Sequence, residues 1–447
     1  MIAFLATIFL LGVMILVHEL GHLWMARRVG IRVLKFSFGF PPKLFGFTRG
    51  GTEYVVQAIP VGGYVKLAGE EAFDQGYVPQ PGDYMACPWW GRVLMALAGP
   101  LANLATALVI FFAIGLAGIR VPDFEPVVDT VAPGSLAQRL GVVPGDRIVS
   151  VGDAPVASWH GADAAWERAE RAGSDRVAVV LARGGRQDTV RAVHGSRAEW
   201  FAGLTPLVPA RLGDIQPGFP AYQAGLHKGD AVLAVDGRPV RTWEEMRSLI
   251  VTKIDRDVTL TMLRGGDTLR VTLRPVEQQT GEGAAGMIGI TIPEFGSYRQ
   301  RLGPLEASAT AVYSIGRTIS LIYKVLFRLV VKPATAKQLG SILMIGQMAG
   351  ETAKKGFSDL MALMASLSIM LFVMNLLPLP VLDGGVIFFS VLEGVRRRPL
   401  PVKVQSFIQQ VGVVLLIALM LLAVANDGLR ILNRRAAVRS QQQGTAK

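Results

Sequence analysis

His18-Glu19-Leu20-Gly21-His22 is the segment of this 447-residue chain best equipped for chemistry. On a helix, positions i and i+4 share a face, so both imidazoles can reach one zinc ion. Glu19 then stands beside the metal's open position and can take a proton from a bound water. The pattern alone recurs in unrelated chains. Here it lies in an otherwise uncharged apolar stretch, where two histidines and a carboxylate are costly unless they have a function. The bland alternative is a satisfied polar cluster within a helix bundle. The single cysteine, Cys87, excludes an internal disulfide and any cysteine-based zinc or iron–sulfur site.

The elements that must position these residues follow from composition. The length allows roughly three domains of about 150 residues. Apolar residues make up 51% of the chain and charged residues 18%, with a mean hydropathy of +0.39. That balance excludes a disordered chain and argues against an ordinary soluble enzyme. The 46 basic and 34 acidic residues give +12. In so apolar a chain, basic residues flank membrane spans and meet anionic lipid, so no nucleic-acid partner is expected. Four stretches are each long enough for a span of about 20 residues: 1–26, 93–119, 360–385 with apolar run Met361–Leu382, and 404–426. No Lys or Arg precedes the first run and no small-residue cleavage site follows it, which favours a span over a cleaved signal peptide.

Positive charge sets the orientation. Arg27, Arg28, Arg32, Lys35 and Lys43 follow the first span, in a region 27–92, and Arg396, Arg397, Arg398 and Lys403 lie in the loop 386–403. Both belong on the cytoplasmic side, which puts the N-terminus and the block from Arg120 to Leu360 outside. The basic tail 427–447 violates the rule, a smaller penalty than an odd number of spans. The third ligand then follows by elimination. Position 28 holds Arg28 rather than a third histidine, and no acidic residue occurs between Leu23 and Thr52. His160, His194 and His227 fall on the outer side. Asp383 remains, in Asn375-Leu-Leu-Pro378-Leu-Pro380-Val-Leu-Asp383-Gly384-Gly385, at the same depth as His18 and His22. Two histidines and a carboxylate with one open position make a catalytic zinc site, one Zn2+ per chain, rather than a closed structural one.

Between the second and third spans the sequence repeats itself at an offset of 84 residues. Pro133-Gly134-Ser135-Leu136-Ala137 matches Pro217-Gly218-Phe219-Pro220-Ala221, and Pro144-Gly145-Asp146-Arg147-Ile148 matches Lys228-Gly229-Asp230-Ala231-Val232. Gly141 and Trp159 match Gly225 and Trp243. Each copy reads as a glycine-capped helix, a Gly-Asp turn into a strand of alternating apolar residues, and an Asp/Gly turn. The pattern resembles bacterial PDZ domains, at 120–205 and 206–294. In such domains a peptide adds as a strand beside a loop, for which Gly203 and Gly289 mark the candidates. The alternative is that both grooves are empty spacers.

Together these motifs, with Gly99-Pro100-Leu101-Ala102-Asn103 in the second span, resemble the site-2 protease family of intramembrane zinc metalloproteases, in its two-PDZ form. The resemblance covers essentially the whole chain. It implies that His18, His22 and Asp383 are zinc ligands and Glu19 the catalytic acid/base. It also implies a bacterial inner-membrane location with periplasmic PDZ domains, and single-span membrane substrates: a pre-trimmed anti-sigma factor, and leftover signal peptides. Two positions depart from the family pattern. Val386 stands where a histidine is usual, and Ser341 follows Gly340 where the family commonly has proline.

The expected fold is therefore a polytopic α-helical membrane protein with four transmembrane helices, a membrane-associated β-hairpin and two periplasmic PDZ-like α/β domains. Tyr54–Ile59 and Tyr64–Leu67 read as hairpin arms around a Pro60-Val61-Gly62-Gly63 turn. By resemblance the hairpin re-enters the membrane and its edge, with Gly62, Gly63 and Tyr64, pairs with unwound substrate; otherwise it is a cytoplasmic hairpin. Asn103 and Asn375, with Pro378 and Pro380 nearby, bond either unwound backbone or neighbouring helices. In the segment 295–359, Ala309–Val331 carries Arg317, Lys324 and Arg328 on one face, which suits an interfacial helix better than a fifth span. A membrane PDZ scaffold with a degenerate metal site is the non-enzymatic rival, and the intact His18, Glu19, His22 and Asp383 argue against it. A prenyl-peptide zinc protease would carry its motif late, with a Glu ligand and no PDZ domains.

Overall fold

The computed structural model describes residues 2–70, 78–216, 218–280, 283–331 and 342–398, with Gln410, Gly412 and Val414. The described residues divide into two compact units, one of residues up to Ile119 together with Arg301–Arg398, the other Arg120–Gln300. In the first unit, α1 (Ile2–Arg28) is apolar until His18 and ends on Arg27-Arg28. Gly30, at φ 81°, turns the chain out of the helix. Strands β1 (Val33–Arg49) and β2 (Thr52–Leu67) follow. Their turn is Gly50-Gly51, both residues at positive φ (57° and 78°), as a two-residue hairpin turn of the twist-matched type requires.

The expected hairpin of arms paired with each other around Pro60–Gly63 is thereby corrected: the two halves of β2 on either side of those residues both pair with β1. The first arm carries no clear strand signal because Pro41-Pro42 interrupts the Phe36, Phe38, Phe40 alternation, and prolines argue against a strand. Residues 35–38 register with 53–56 on one side and with 63–66 on the other. Residues 63–66 therefore form a sheet edge with no further strand beside it among the described residues. The base of this sheet (Val33, Phe36, Leu67) packs with Leu23 and Ala26 of α1 and with Met95 of α2 (Trp89–Ala117).

In the second unit, β3 (Ile119–Asp123) leads into the first PDZ-like copy. It runs β4 (Val128–Val131), α3 (Leu136–Arg139), β5 (Arg147–Val151), β6 (Ala154–Pro155), α4 (Trp159–Arg171), β7 (Arg176–Arg183), β8 (Arg186–Val193), α5 (Arg197–Ala202) and β9 (Leu204–Pro206). The second runs α6 (Pro220–Gln223), β10 (Ala231–Val235), β11 (Arg238–Pro239), α7 (Trp243–Val251), β12 (Val258–Arg264), β13 (Asp267–Leu273), β14 (Val276–Thr280) and β15 (Gly283–Met287). The sheets β6-β5-β7-β8 and β11-β10-β12-β13 have the same antiparallel order, and each encloses its own core. After the second copy, β16 (Gly296–Gln300) pairs with β3 and so brings the two ends of the block together. This strand was not expected, because Gly-Ser-Tyr-Arg-Gln shows no apolar alternation.

Returning to the first unit, α8 (Pro304–Val331) lays Ile315, Ile319, Ile322 and Leu326 against Ala107 of α2 and Ile369 of α10 (Phe357–Asn375), with Arg317 and Lys324 exposed. Between them α9 (Ile342–Lys355) packs on α1. The third apolar helix ends at Asn375, not near 385. Pro378 and Pro380 interrupt the run, since proline lacks the N–H a helix needs. Where a loop was expected from 386, α11 (Asp383–Arg396) forms and packs on α2, with Arg92 Nη2 2.5 Å from Glu393 Oε2. Among the described residues, α1, α2 and α10 are long and apolar enough to cross a membrane. The expected fourth span at 404–426, apart from Gln410, Gly412 and Val414, lies outside the described residues, as do the tail from 427 and the 340–341 departure.

Both PDZ-like copies lock their Gly-Asp turn in the same way. Asp146 and Asp230 are almost wholly buried and each accepts a two-pronged bond, from Arg183 and Arg264 respectively. Burial pushes the Asp230 carboxyl up, but the Arg264 guanidinium and the His227 N–H outweigh it and hold it below its ordinary range. A carboxyl so depressed stabilises the fold above its unfolded pKa of about 3.9, and the contribution is lost as pH falls through the folded value. Asp230→Ala should cost the second domain about 2–3 kcal/mol at neutral pH. Hydrogen exchange of the β10 amides in the whole protein reads this, and the difference from wild type should shrink below about pH 4. Unchanged protection would contradict it.

Candidate metal centre

Helix α1 presents His18 and His22 one turn apart, both 8% exposed, toward α2 and the first residue of α11. His18 Nε2 lies 3.2 Å from Asp383 Oδ2, His22 Nε2 lies 3.4 Å from Asp383 Oδ1, and the two Nε2 atoms are 3.1 Å apart. Bonds of about 2.05 Å to a tetrahedral zinc ion put ligand atoms about 3.3 Å from one another. The two imidazoles, each facing one Asp383 oxygen, therefore stand close to the spacing that such an ion requires, and one donor atom from each of the three residues falls within 4.8 Å of the others.

Close packing of small residues makes this possible. A side chain at Gly99 would lie 2.3 Å from His22 Nε2, and one at Gly21 would lie 2.4 Å from the Ala98 carbonyl oxygen. On the far side, Gly384 and Gly385 tuck under the broken segment, where an added Cβ would come within 2.2 Å of the Leu377 and Leu379 carbonyls. The glycines after Asp383 thus let α11 start where the break delivers it. Hydrogen bonds aim the rings. His22 Nδ1 donates to the Met95 carbonyl at 2.8 Å, the Asn103 amide lies 3.2 Å from His18 Nδ1, and Asn375 Nδ2 lies 3.3 Å from His18 Nε2.

The histidines and Asp383 line a cavity of about 380 Å³ together with Glu19, Gly63, Tyr64 and Asn375. Gly63 brings the sheet edge against the Glu19 side chain, since a Cβ there would lie 3.0 Å from Glu19 Cγ. Val386 also lines this cavity. The other sequence-derived candidates lie elsewhere. Gly62 sits against the Phe40 ring, Pro378 and Pro380 shape the break without lining the cavity, and Asn103 lies behind His18. In the second unit, Gly203 caps α5 ahead of β9. Gly289, at φ 81°, borders a groove of about 250 Å³ between α7 and residues 286–292. Met95, Tyr84 and Glu70 also face the metal-site cavity and carry no sequence signal, because their role depends on where the chain returns.

A buried pair of histidines completed by a carboxylate, with a second carboxylate alongside, defines a metallopeptidase. Residues 6–419 match peptidase family M50, and the chain belongs to that family. It is 32% identical over 444 residues to the regulator of sigma-E protease RseP of Escherichia coli (strain K12), covering 94% of this chain and 97% of that one. A Neisseria meningitidis protein whose name includes the words zinc metalloprotease is 32% identical over 446 residues, covering 96% and 99%. Among solved structures, the PDZ domain of an SdrC-like protein from Listeria monocytogenes aligns at 21% identity with a TM-score of 0.17, over 20% of this chain and 90% of that domain. The protein is a zinc metalloprotease of the site-2 type. Gly99→Ala should push the His22 ring aside and lower zinc affinity by about 10–100-fold, the range seen when a ligand's support is disturbed. Zinc content after dialysis against graded chelator measures it, and wild-type retention would refute the packing argument.

Proposed function

We propose that the protein hydrolyses peptide bonds within the transmembrane segments of single-span membrane proteins, with one zinc ion per chain on His18, His22 and Asp383 and Glu19 as acid/base. The observation that carries this is the convergence of the three ligand atoms, all within 4.8 Å of one another, in a cavity shared with Glu19 and the sheet edge. Zinc held there supplies an acidified water, of pKa about 7, and polarises the scissile carbonyl. Glu19 takes the proton from the attacking water and returns it to the leaving amine nitrogen. The substrate helix must unwind first, because its carbonyls are engaged in i→i−4 bonds. Residues 63–66, with Tyr64 facing the cavity, accept the unwound backbone as an added strand and give it new partners. Asn375 bonds the same backbone close to the metal.

The basic residues after α1 and at the end of α11 support a cytoplasmic placement of the metal site in a bacterial inner membrane. A fourth span at 404–426 and periplasmic PDZ-like domains complete that topology. The Escherichia coli relative is named for regulating sigma-E, and by that likeness the substrate is an anti-sigma factor already trimmed by an earlier cut, with leftover signal peptides as a second class. Residues 120–300 join the helices at both ends through connections of only a few residues, and β3 and β16 clasp those ends. So tethered, the tandem filters substrates by size. The groove beside Gly289 favours a second reading, in which the domains grip the trimmed C-terminus.

Glu19→Gln should keep zinc yet lose about 10²–10⁴-fold in cleavage rate, because an amide cannot take the proton. Asp383→Asn should lose zinc itself, since a neutral amide replaces an anionic ligand. Wild-type cleavage of a single-span test substrate by either variant sinks the assignment. Replacing Asp123–Pro293 by a flexible linker separates the two roles of the tandem. Size filtering predicts that untrimmed substrate is now cut, whereas gripping predicts that even trimmed substrate is cut poorly. A deletion protein that still rejects untrimmed substrate while cutting the trimmed form rules out the filter.

A further inference from the structure

Asn103 is fully buried in α2, 0% exposed, and does not line the cavity, so it is out of a substrate's reach. Its amide nitrogen faces His18 Nδ1, and its Oδ1 is buried with no hydrogen-bond partner among the described residues. An unpartnered amide oxygen is expensive inside an apolar bundle, and buried polar groups are normally satisfied. The identity of the proton carrier on His18 decides which end of the amide belongs there. Both Nε2 atoms point at Asp383, which leaves Nδ1 of each ring directed away from the ligand set. For His22 the outer partner is the Met95 carbonyl, which can only accept, so that ring holds its proton on Nδ1 and offers Nε2. A neutral His18 that gives Nε2 to a metal must likewise carry its proton on Nδ1, and that N–H needs an acceptor. Among the described residues, the side chain hydrogen-bonded to His18 Nδ1 is Asn103. Turned over about its terminal bond, its amide presents Oδ1, the atom now lacking a partner.

We infer that Asn103 is a positioning residue that accepts from His18 Nδ1–H through Oδ1, fixing the tautomer in which Nε2 is free to bind zinc. The inference rests on the zinc-site reading above. It gives the buried asparagine a task at the metal rather than on the substrate, and it predicts that an acceptor, not an amide as such, is required. The test uses full-length protein in lipid nanodiscs and zinc itself as the probe. Affinity is read by competition with a chromogenic chelator, in wild type, Asn103→Leu, Asn103→Asp and His18→Ala. Leucine keeps the branched four-atom skeleton of asparagine but has no acceptor, and should weaken zinc about 10–100-fold. Aspartate restores an acceptor and should stay within a few-fold of wild type. If leucine compromises folding, ¹⁵N-histidine spectra of the zinc-loaded wild type decide alone, with His18 expected to be protonated at Nδ1 and coordinated at Nε2. Coordination through Nδ1, wild-type affinity in Asn103→Leu, or equal weakening by aspartate and leucine overturns this inference alone. Wild-type protein that takes up no zinc, or His18→Ala protein that retains it unchanged, overturns the site reading and this inference together.

Discussion

The contact between α1 and a single face of α2 governs the rest of the membrane unit. Residues 92, 95, 99 and 103 recur at helical spacing, and each supports a different part of the site. Arg92 holds α11 through Glu393, the Met95 carbonyl orients His22, Gly99 makes room for that ring, and Asn103 stands behind His18. Polar groups buried among apolar helices survive only if each finds a partner, so one bare residue on this face would leave several groups without theirs. Asp383 reaches the histidines only because α11, which it begins, is pinned to the same helix.

The broken segment after α10 solves a related problem. A straight continuation would carry Asp383 past the histidines along the helix axis at 1.5 Å per residue. Pro378 and Pro380 stop the helix, and Gly384 and Gly385 allow the chain to restart hard against its own carbonyls. Backbone left unpaired by such a break is tolerable at membrane depth where it borders a polar cavity. Asn375, Val381 and Leu382 all border this one.

Much of this was legible in the residues. His18, Glu19 and His22 announce themselves because their geometry is local, set by helical spacing alone. Asp383 was reachable by elimination, since few acidic residues occur at the right depth. The 84-residue repeat located both PDZ-like copies, because glycine turns and the buried Asp repeat with them. The hairpin turn is ambiguous in the sequence because two Gly-Gly pairs occur in the region and only pairing across the sheet distinguishes them. The end of the third helix is not legible in hydropathy because Leu376–Leu382 is as apolar as a span, and hydropathy does not register a missing N–H. The partner of Asn103 lies 85 residues away in sequence, beyond any local pattern.

Tandem copies of one fold carry a hazard of their own, since a strand from one copy can fold into the place of its counterpart. The interiors of these two domains differ in shape. Trp166 and Trp200 fill the first, with ring centroids 5.3 Å apart, while Met246, Leu260 and Met262 fill the second. At the 84-residue offset, Ile250 occupies the position of Trp166, and both belong to their cores. An exchanged helix would leave a void in one domain, about 3–5 kcal/mol for a lost tryptophan, and overfill the other by about 1–3 kcal/mol. The same backbone plan repeated with incompatible interiors lets each copy recognise its own segments as the chain emerges, so that duplication need not lead to entanglement.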